Sequence, residues 1–258
     1  MRVLDIRQHF LEGLSSYVEE YGFKMLKSGF EIVKKDKEKS LELRFFQTDW
    51  LMEIRLEPCL WINFKPVFRI LKKAGVFDNP PYGHLVNNCA QMNLIAYKHY
   101  LDNHIPLRDM KCIYGISPYD LILIDGRFCP SVEMYRQHEG KSIAEFTPVF
   151  RITDEKSYEP VVEYVKDLFQ YAIRYFEWLG SLEAINNYYN ALPLCMNNPN
   201  TIIWPVHIAV GIIAAKLVNK ENYEAIKNAY LEFLKHFKSD YDNSLLKLID
   251  YLDSPEFK

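Results

Sequence analysis

Glycine and paired cysteine are both scarce in this chain of 258 residues, and each shortage excludes a class of protein. The 10 glycines form no phosphate-binding loop, so nucleotide-dependent chemistry is not expected and no cofactor is predicted. The 5 cysteines, at positions 59, 89, 112, 129 and 195, are widely spaced and include no Cys-x-x-Cys pair. This spacing predicts neither a disulfide framework nor a zinc knuckle, and it favours a reducing, cytoplasmic compartment.

A basic excess and a long apolar run are also missing. The 31 Lys and Arg residues are outnumbered by 34 Asp and Glu residues, which gives a net charge of -3. Proteins that bind duplex nucleic acid normally carry a clear positive excess, because neutralising phosphates supplies most of their affinity. The longest apolar run, residues 202–215, is interrupted by Pro205, His207 and Gly211 and is shorter than the ~20 residues that cross a bilayer. We therefore predict no nucleic-acid partner and no membrane span.

The hydrophobic pattern predicts a change of architecture near residue 153. Residues 3–21 have helical spacing and end at Gly22, where a left-handed cap is favourable. Apolar and polar residues then alternate with the period of strands, in the segments 23–27, 30–33, 41–45, 51–57 and 60–64. Residues 34–39 mix charges of both signs and are typical of a hairpin tip. A short helix is expected at 66–74, a weaker one at 92–101, and strands at 112–116, 121–124 and 145–152.

The predicted fold class is α+β, with an N-terminal helix on an antiparallel β meander and an all-helical C-terminal portion. Residues 1–152 form the sheet portion and residues 153–258 the helical portion packed against it. No Gly-, Ser- or Pro-rich linker separates them, so a single domain remains an alternative. The helical portion is expected to contain one long helix over 161–179, ended by Gly180, a shorter one from Leu182, a helical hairpin formed by 202–218 and 222–237, and a last helix at 243–252.

The aromatic content is high, with 18 Tyr and 16 Phe, and rings of this size either pack in cores or form contact surfaces. The segment 45–51 is expected to join two strands, with Trp50 at the turn. Trp50 is then either a lid on the core or an exposed contact anchor. Arg44, Glu53 and Arg55 would line the outer face of the same sheet, where a partner can dock between charge and ring. The alternative is a solvated sheet face with cross-strand ion pairs.

Catalytic signatures are absent from the sequence, which has no nucleophile elbow, zinc-protease helix or calcium loop. His99 and His104 are five residues apart, which rotates the second ring off the helix face of the first, so no metal site is predicted. A weak catalytic candidate is the group Asp120, Asp125, Arg127 and His138, which would suit acid–base chemistry if the four converged in a cleft. Turn residues and surface charges explain the same pattern.

The N-terminal part of the chain resembles a group of uncharacterised bacterial domains that combine a helix with an antiparallel meander. The matching residues are Gly22-Phe23 at the end of the first helix, the segment 45–47 (Phe-Phe-Gln) and the segment 61–63 (Trp-Ile-Asn). Some of these domains occur beside toxin-immunity genes, and residues 76–150 depart from their pattern. The resemblance implies a non-enzymatic bacterial protein and brings no catalytic residue with it.

Three functions follow as hypotheses. The first is a cytoplasmic binding protein, immunity-like in one form, that recognises a protein partner through Arg44, Trp50, Glu53 and Arg55. The alternative is a hydrolase-type enzyme that uses the region from Asp120 to His138. The third is a structural subunit of a homodimer that pairs through the helical end.

Overall fold

One antiparallel sheet organises the first part of the chain in the computed structural model. The structure describes residues 3–50, 53–76, 89–102, 150–152, 158–190, 205–236 and 242–257. Within these ranges the strands run in the order β1-β2-β3-β4-β5, and β6 also pairs with β4. Their bounds are β1 Lys24–Met25, β2 Glu31–Lys35, β3 Lys39–Trp50, β4 Glu53–Phe64, β5 Ala90–Asn93 and β6 Phe150–Ile152.

Helices precede the sheet, interrupt it and follow it. Those in the sheet portion are α1 Val3–Glu19, α2 Lys65–Lys73 and α3 Leu94–Asp102. The later ones are α4 Tyr158–Leu179, α5 Leu182–Asn190, α6 Pro205–Val218, α7 Tyr223–His236 and α8 Asp242–Asp253. This order confirms the predicted α+β class, with an N-terminal helix, an antiparallel meander and a helical C-terminal portion.

Helix α1 lies on one face of the sheet, which we call the inner face. Its apolar residues recur at helical spacing, so that Ile6, Phe10, Leu14 and Val18 are all fully buried. The Phe10 ring centre is 5.3 Å from that of Phe45 on β3, in an edge-to-face contact. Alternate residues of the two long strands complete the inner face, and register pairs bring them together, as in Leu41↔Ile62 and Leu43↔Leu60.

The helical portion and the N-terminal portion share this core. Phe169 and Phe176 of α4 both contact Phe23, with ring centres 5.3 Å and 5.6 Å away. The hydroxyl of Tyr17 in α1 donates a hydrogen bond to the backbone oxygen of Lys166 at 3.0 Å. The large aromatic content therefore serves, in good part, to join α1, Phe23 just before β1, and α4.

The hairpin tip predicted at residues 34–39 is confirmed, and Asp36 explains its geometry. One carboxylate oxygen of Asp36 accepts hydrogen bonds from the backbone N–H groups of Glu38 and Lys39, each at 2.7 Å. Its own backbone N–H donates to the Lys39 oxygen at 3.0 Å. Short side chains with an acceptor stabilise tight turns in this way.

The segments 51–57 and 60–64 are predicted as separate strands, but one strand, β4, runs through Pro58 between them. Pro58 pairs with Phe45 in the β3–β4 register. The Phe45 N–H donates to the Phe30 oxygen at 2.8 Å, away from β4, so the pair is one of the non-hydrogen-bonded pairs of the ladder. The Pro58 nitrogen therefore faces the other side, between the pairing of β6, which ends at Leu56, and that of β5, which begins at Cys59. Proline is tolerated where no ladder donor is needed.

Two other boundaries differ from prediction. Residues 45–50 belong to β3 and do not form a loop, since β3 and β4 pair without interruption from Lys39↔Phe64 to Trp50↔Glu53. The helix expected at 92–101 begins at Leu94 because Asn93 caps it, accepting a hydrogen bond from the Ile95 N–H at 2.9 Å. Strand β6 confirms the end of the strand predicted at 145–152. The strands predicted at 112–116 and 121–124 lie outside the described residues.

Candidate binding site

The face of the sheet opposite α1, which we call the outer face, carries polar and aromatic side chains. Successive residues of a strand point to opposite faces, so Glu42, Arg44 and Phe46 lie on this face between the buried apolar positions of β3. Across the ladder these three residues pair with Trp61, Cys59 and Glu57, respectively. We call these six residues the outer-face cluster.

A buried carboxylate anchors the cluster. The Glu42 side chain is 3% exposed, and its Oε2 accepts hydrogen bonds from Nε and Nη2 of Arg44 at 2.8 Å and 2.5 Å. The Lys35 ammonium lies 3.4 Å from Oε1. Burial by itself would raise the pKa of Glu42. Hydrogen bonds from Ser40 and Arg44, with the charges of Arg44 and Lys35, more than offset burial, so the pKa lies below its usual value.

The Trp61 ring holds Arg44 from the other side, and the Phe46 ring packs against Trp61. The central carbon of its guanidinium lies 4.2 Å from the centre of the Trp61 ring, within the range of a cation–π contact. Trp61 is buried, and its ring centre is 5.6 Å from that of Phe46. Phe46 itself is 42% exposed. Arg44 is therefore fixed between a carboxylate and an indole, beside a ring that reaches solvent.

Cys59 and Glu57 close the other end of the cluster. The Cys59 thiol donates to Oε1 of Glu57 at 3.5 Å, and the Asn93 amide donates to the same oxygen at 3.3 Å. Burial, followed by the negative charge of Glu57, raises the pKa of Cys59 well above its ordinary value. A thiol that stays protonated is a poor nucleophile, so this geometry favours a structural role for Cys59.

The predicted binding residues lie on the same two strands as the outer-face cluster, and for Trp50, Glu53 and Arg55 the structure describes the backbone pairing. Arg55 pairs with Thr48, one strand period beyond Phe46, and Trp50 pairs with Glu53, two periods beyond Phe46 at the end of the β3–β4 hairpin. Arg44 lies on the outer face as predicted, and the aromatic side chain that it contacts is Trp61. The weak catalytic candidates Asp120, Asp125, Arg127 and His138 lie outside the described residues.

The sequence-based prediction did not select Glu42, Phe46 or Trp61. Their signal is the period of two along residues 42–46 and 57–61. That period identifies the cluster only when the strand register is known, because the position of the hairpin turn sets the cross-strand partner of each residue. Trp61 entered the prediction as part of a strand and of the segment 61–63 that carries the resemblance, without a role on either face of the sheet.

A second polar cluster joins the last three helices. The carboxylate of Asp253 in α8 accepts hydrogen bonds from Lys216 of α6 at 3.1 Å, and from Tyr223 and Lys227 of α7 at 3.0 Å and 2.7 Å. Lys227 also pairs with Glu224 at 2.7 Å. Each of these groups forms a hydrogen bond or an ion pair with another group of the same cluster. The arrangement therefore favours a structural role, as a clamp between the helices, over a site for a ligand.

Neither a metal-binding group nor a membrane-spanning helix is found among the described residues. In the part of the chain that the structure describes, no three His, Cys, Asp or Glu side chains are grouped so as to hold a metal ion. None of the helices in those ranges combines the length and the apolar character needed to span a bilayer. Comparisons with models of known protein families, with curated proteins and with solved structures give no match.

Proposed function

We propose that the protein is a non-enzymatic binding protein that docks a protein partner on the outer face of its sheet. The observation that carries the proposal is the arrangement of Arg44, which is held by Glu42 and Trp61 beside the exposed ring of Phe46. Arginine and large aromatic residues dominate the energetics of protein interfaces. Here they occur together on one face, and the register positions of Arg55 and Trp50 follow one and two strand periods beyond that of Phe46.

Pre-organisation supports the same proposal. A flexible arginine on a protein surface loses side-chain entropy when a partner immobilises it, and this loss opposes binding. Two hydrogen bonds to Glu42 and the contact with Trp61 already fix the Arg44 side chain in the free protein. A partner that meets this guanidinium therefore loses less of its binding free energy to ordering.

The particular form that we propose is an immunity-like protein of the bacterial cytoplasm. The proposal rests on the resemblance carried by Gly22-Phe23, by the segment 45–47 and by the segment 61–63. Two of those segments contain members of the outer-face cluster, namely Phe46 and Trp61. In such a protein the sheet face would bind the toxin, and no chemistry would be required of it.

Co-purification from the native host, followed by mass spectrometry, tests the proposal when it is combined with a matched pair of variants. Among the described residues, Phe46 and Leu246 are large apolar side chains of almost equal exposure, at 42% and 43%. Leu246 lies on α8, in the helical portion. We expect Phe46→Ser to lose the partner that the wild type retains and Leu246→Ser to keep it. Equal recovery with both variants would contradict docking on the outer face.

A further inference from the structure

We infer that the partner presents a carboxylate next to an apolar side chain, so that an acidic segment of a protein binds at Arg44 and Phe46. This inference rests on the proposed function and names the chemistry of its partner. It follows from three features of the outer-face cluster: the unused end of one guanidinium, the distribution of charge between the surface and the interior, and the exposed ring beside them.

The Arg44 guanidinium donates hydrogen bonds through Nε and Nη2, which leaves its Nη1 end for another acceptor. Nε and Nη2 both donate to the same oxygen of Glu42. Within the described ranges no acceptor is bonded to Nη1, and the side chain is 30% exposed. Arginine is a donor with no acceptor capacity, so the group that completes this end must be an acceptor. A carboxylate is the acceptor that makes the strongest hydrogen bonds to it.

The positive groups at the outer-face cluster, Arg44 and its neighbour Lys35, are more exposed than the central anion. Its central anion, Glu42, is 3% exposed, whereas the two cations that pair with it, Arg44 and Lys35, are 30% and 49% exposed. Among the described residues the outer face carries two further carboxylates here: Glu31, which is 33% exposed and 3.9 Å from Nε of Arg44, and Glu57, whose Oε1 accepts hydrogen bonds from Cys59 and Asn93. An approaching group therefore meets two cations before it meets the buried anion, which favours an acidic partner.

Phe46 adds an apolar contact directly beside this positive surface. Its ring packs on Trp61, the residue that also carries the Arg44 guanidinium. An apolar side chain adjacent to the carboxylate would cover the exposed part of Phe46 and exclude water from the new ion pair. Removing water strengthens a charged hydrogen bond of this kind.

A displayed library of random 12-residue peptides, selected on the full-length protein, tests the inference. We expect sequences recovered with the wild type to be enriched in Asp or Glu next to an aromatic or aliphatic residue. Arg44→Gln should weaken their binding about tenfold or more, and Arg44→Lys should weaken it less, because lysine keeps the charge but not the planar fork. Binding should also decline with rising salt.

Control variants separate the possible results. Arg44→Gln leaves the buried Glu42 carboxylate without its main partner, so the double variant Glu42→Gln with Arg44→Gln provides a test without an unpaired buried charge. Peptides that depend on Phe46 but lack acidic residues would overturn the inference and leave the proposed function standing. Peptides that bind the Phe46→Ser and Arg44→Gln variants as well as the wild type, or a selection with no enrichment, would count against both.

Discussion

Arg44 directs two of its nitrogen donors at one oxygen of Glu42, whose carboxylate is almost fully buried in the outer face of the sheet. Arg44 and Glu42 are two residues apart on β3, so a single strand supplies both partners on the same face. The pair holds the Arg44 side chain in place and keeps the pKa of Glu42 below its usual value in spite of burial. Under the proposed docking function, stability and recognition are thus coupled at Arg44.

Acid should weaken the fold through Glu42. Its pKa is lowered in the folded protein, so the stability that it contributes is present above the unfolded value, about 4.3, and is lost as the pH falls through the folded value. We expect Glu42→Gln to lower the free energy of unfolding at pH 7 by about 1–3 kcal/mol. The difference from the wild type should shrink below about pH 4. Urea unfolding from pH 3 to pH 8 measures this, and a difference that is independent of pH would contradict the role of the ionised carboxylate.

Trp61 and Phe46 touch each other but should respond differently to truncation. Trp61 is 8% exposed in a central strand, whereas Phe46 is 42% exposed. We expect Trp61→Ala to lower the free energy of unfolding by about 3–5 kcal/mol, since it removes a buried ring, and Phe46→Ala to cost less than about 1 kcal/mol. Chemical denaturation of both variants measures this difference. A large loss of stability with Phe46→Ala would show that the ring serves packing and not docking.

The fold could be predicted largely because its periodicities are simple. Helical spacing identified α1, and alternation identified the long strands. The errors in strand boundaries occurred where pairing between strands overrides the conformational preference of a single residue. Pro58 is a strand breaker by itself, but its nitrogen faces a gap between β5 and β6, which the sequence of β4 does not reveal. Likewise Trp50 closes a 12-residue strand that long-range pairing with β4 extends.

The candidate site was predictable only in part. Alternation along β3 placed Arg44 on the outer face, and the backbone register agrees. The contact of Arg44 with Trp61 depends on which residues of β4 face β3, and one residue of slip would move every β4 side chain to the opposite face. A single sequence without a register cannot select Trp61 over Trp50 as the ring that meets Arg44.

The thiols of Cys59 and Cys89 should be unreactive in the folded protein. Burial raises the pKa of Cys89 to about 12 and also raises that of Cys59. Thiolate is the reactive form, so neither residue should be alkylated by iodoacetamide at pH 8 until the protein unfolds. Mass spectrometry of labelled peptides, with and without urea, measures this residue by residue. Rapid labelling of Cys59 in the native protein would show that the outer-face cluster opens in solution.

Two glycines with left-handed backbones offer a controlled comparison. Gly29 and Gly75 have φ angles of 73° and 63°, so alanine is strained at both. A Cβ at Gly29 would lie 2.8 Å from the backbone oxygen of Arg7, whereas one at Gly75 would meet nothing within 4 Å. We expect Gly75→Ala to cost about 1 kcal/mol and Gly29→Ala distinctly more, measured by thermal unfolding. Equal costs would show that α1 and the β1–β2 turn separate easily.

Asp253 should hold the last three helices together, through hydrogen bonds from Lys216, Tyr223 and Lys227. Burial would raise the pKa of Asp253, but hydrogen bonds from Lys227, Lys216 and Tyr223 lower it overall, so its contribution is present above the unfolded value and lost as the pH falls through the folded one. The side chain is 34% exposed, so solvent weakens these ion pairs, and we expect Asp253→Asn to cost only about 0.5–1.5 kcal/mol.

Hydrogen exchange is the more telling measurement for this clamp, because the loss should be local. In Asp253→Asn we expect faster amide exchange in α7 and α8, with exchange in β3 and β4 unchanged. Asp250, an exposed residue one turn earlier on α8, provides the matched control, and Asp250→Asn should change neither region. If Asp253→Asn speeds exchange in the sheet as much as in the helices, the two portions unfold as one cooperative unit, and the clamp has no separate role.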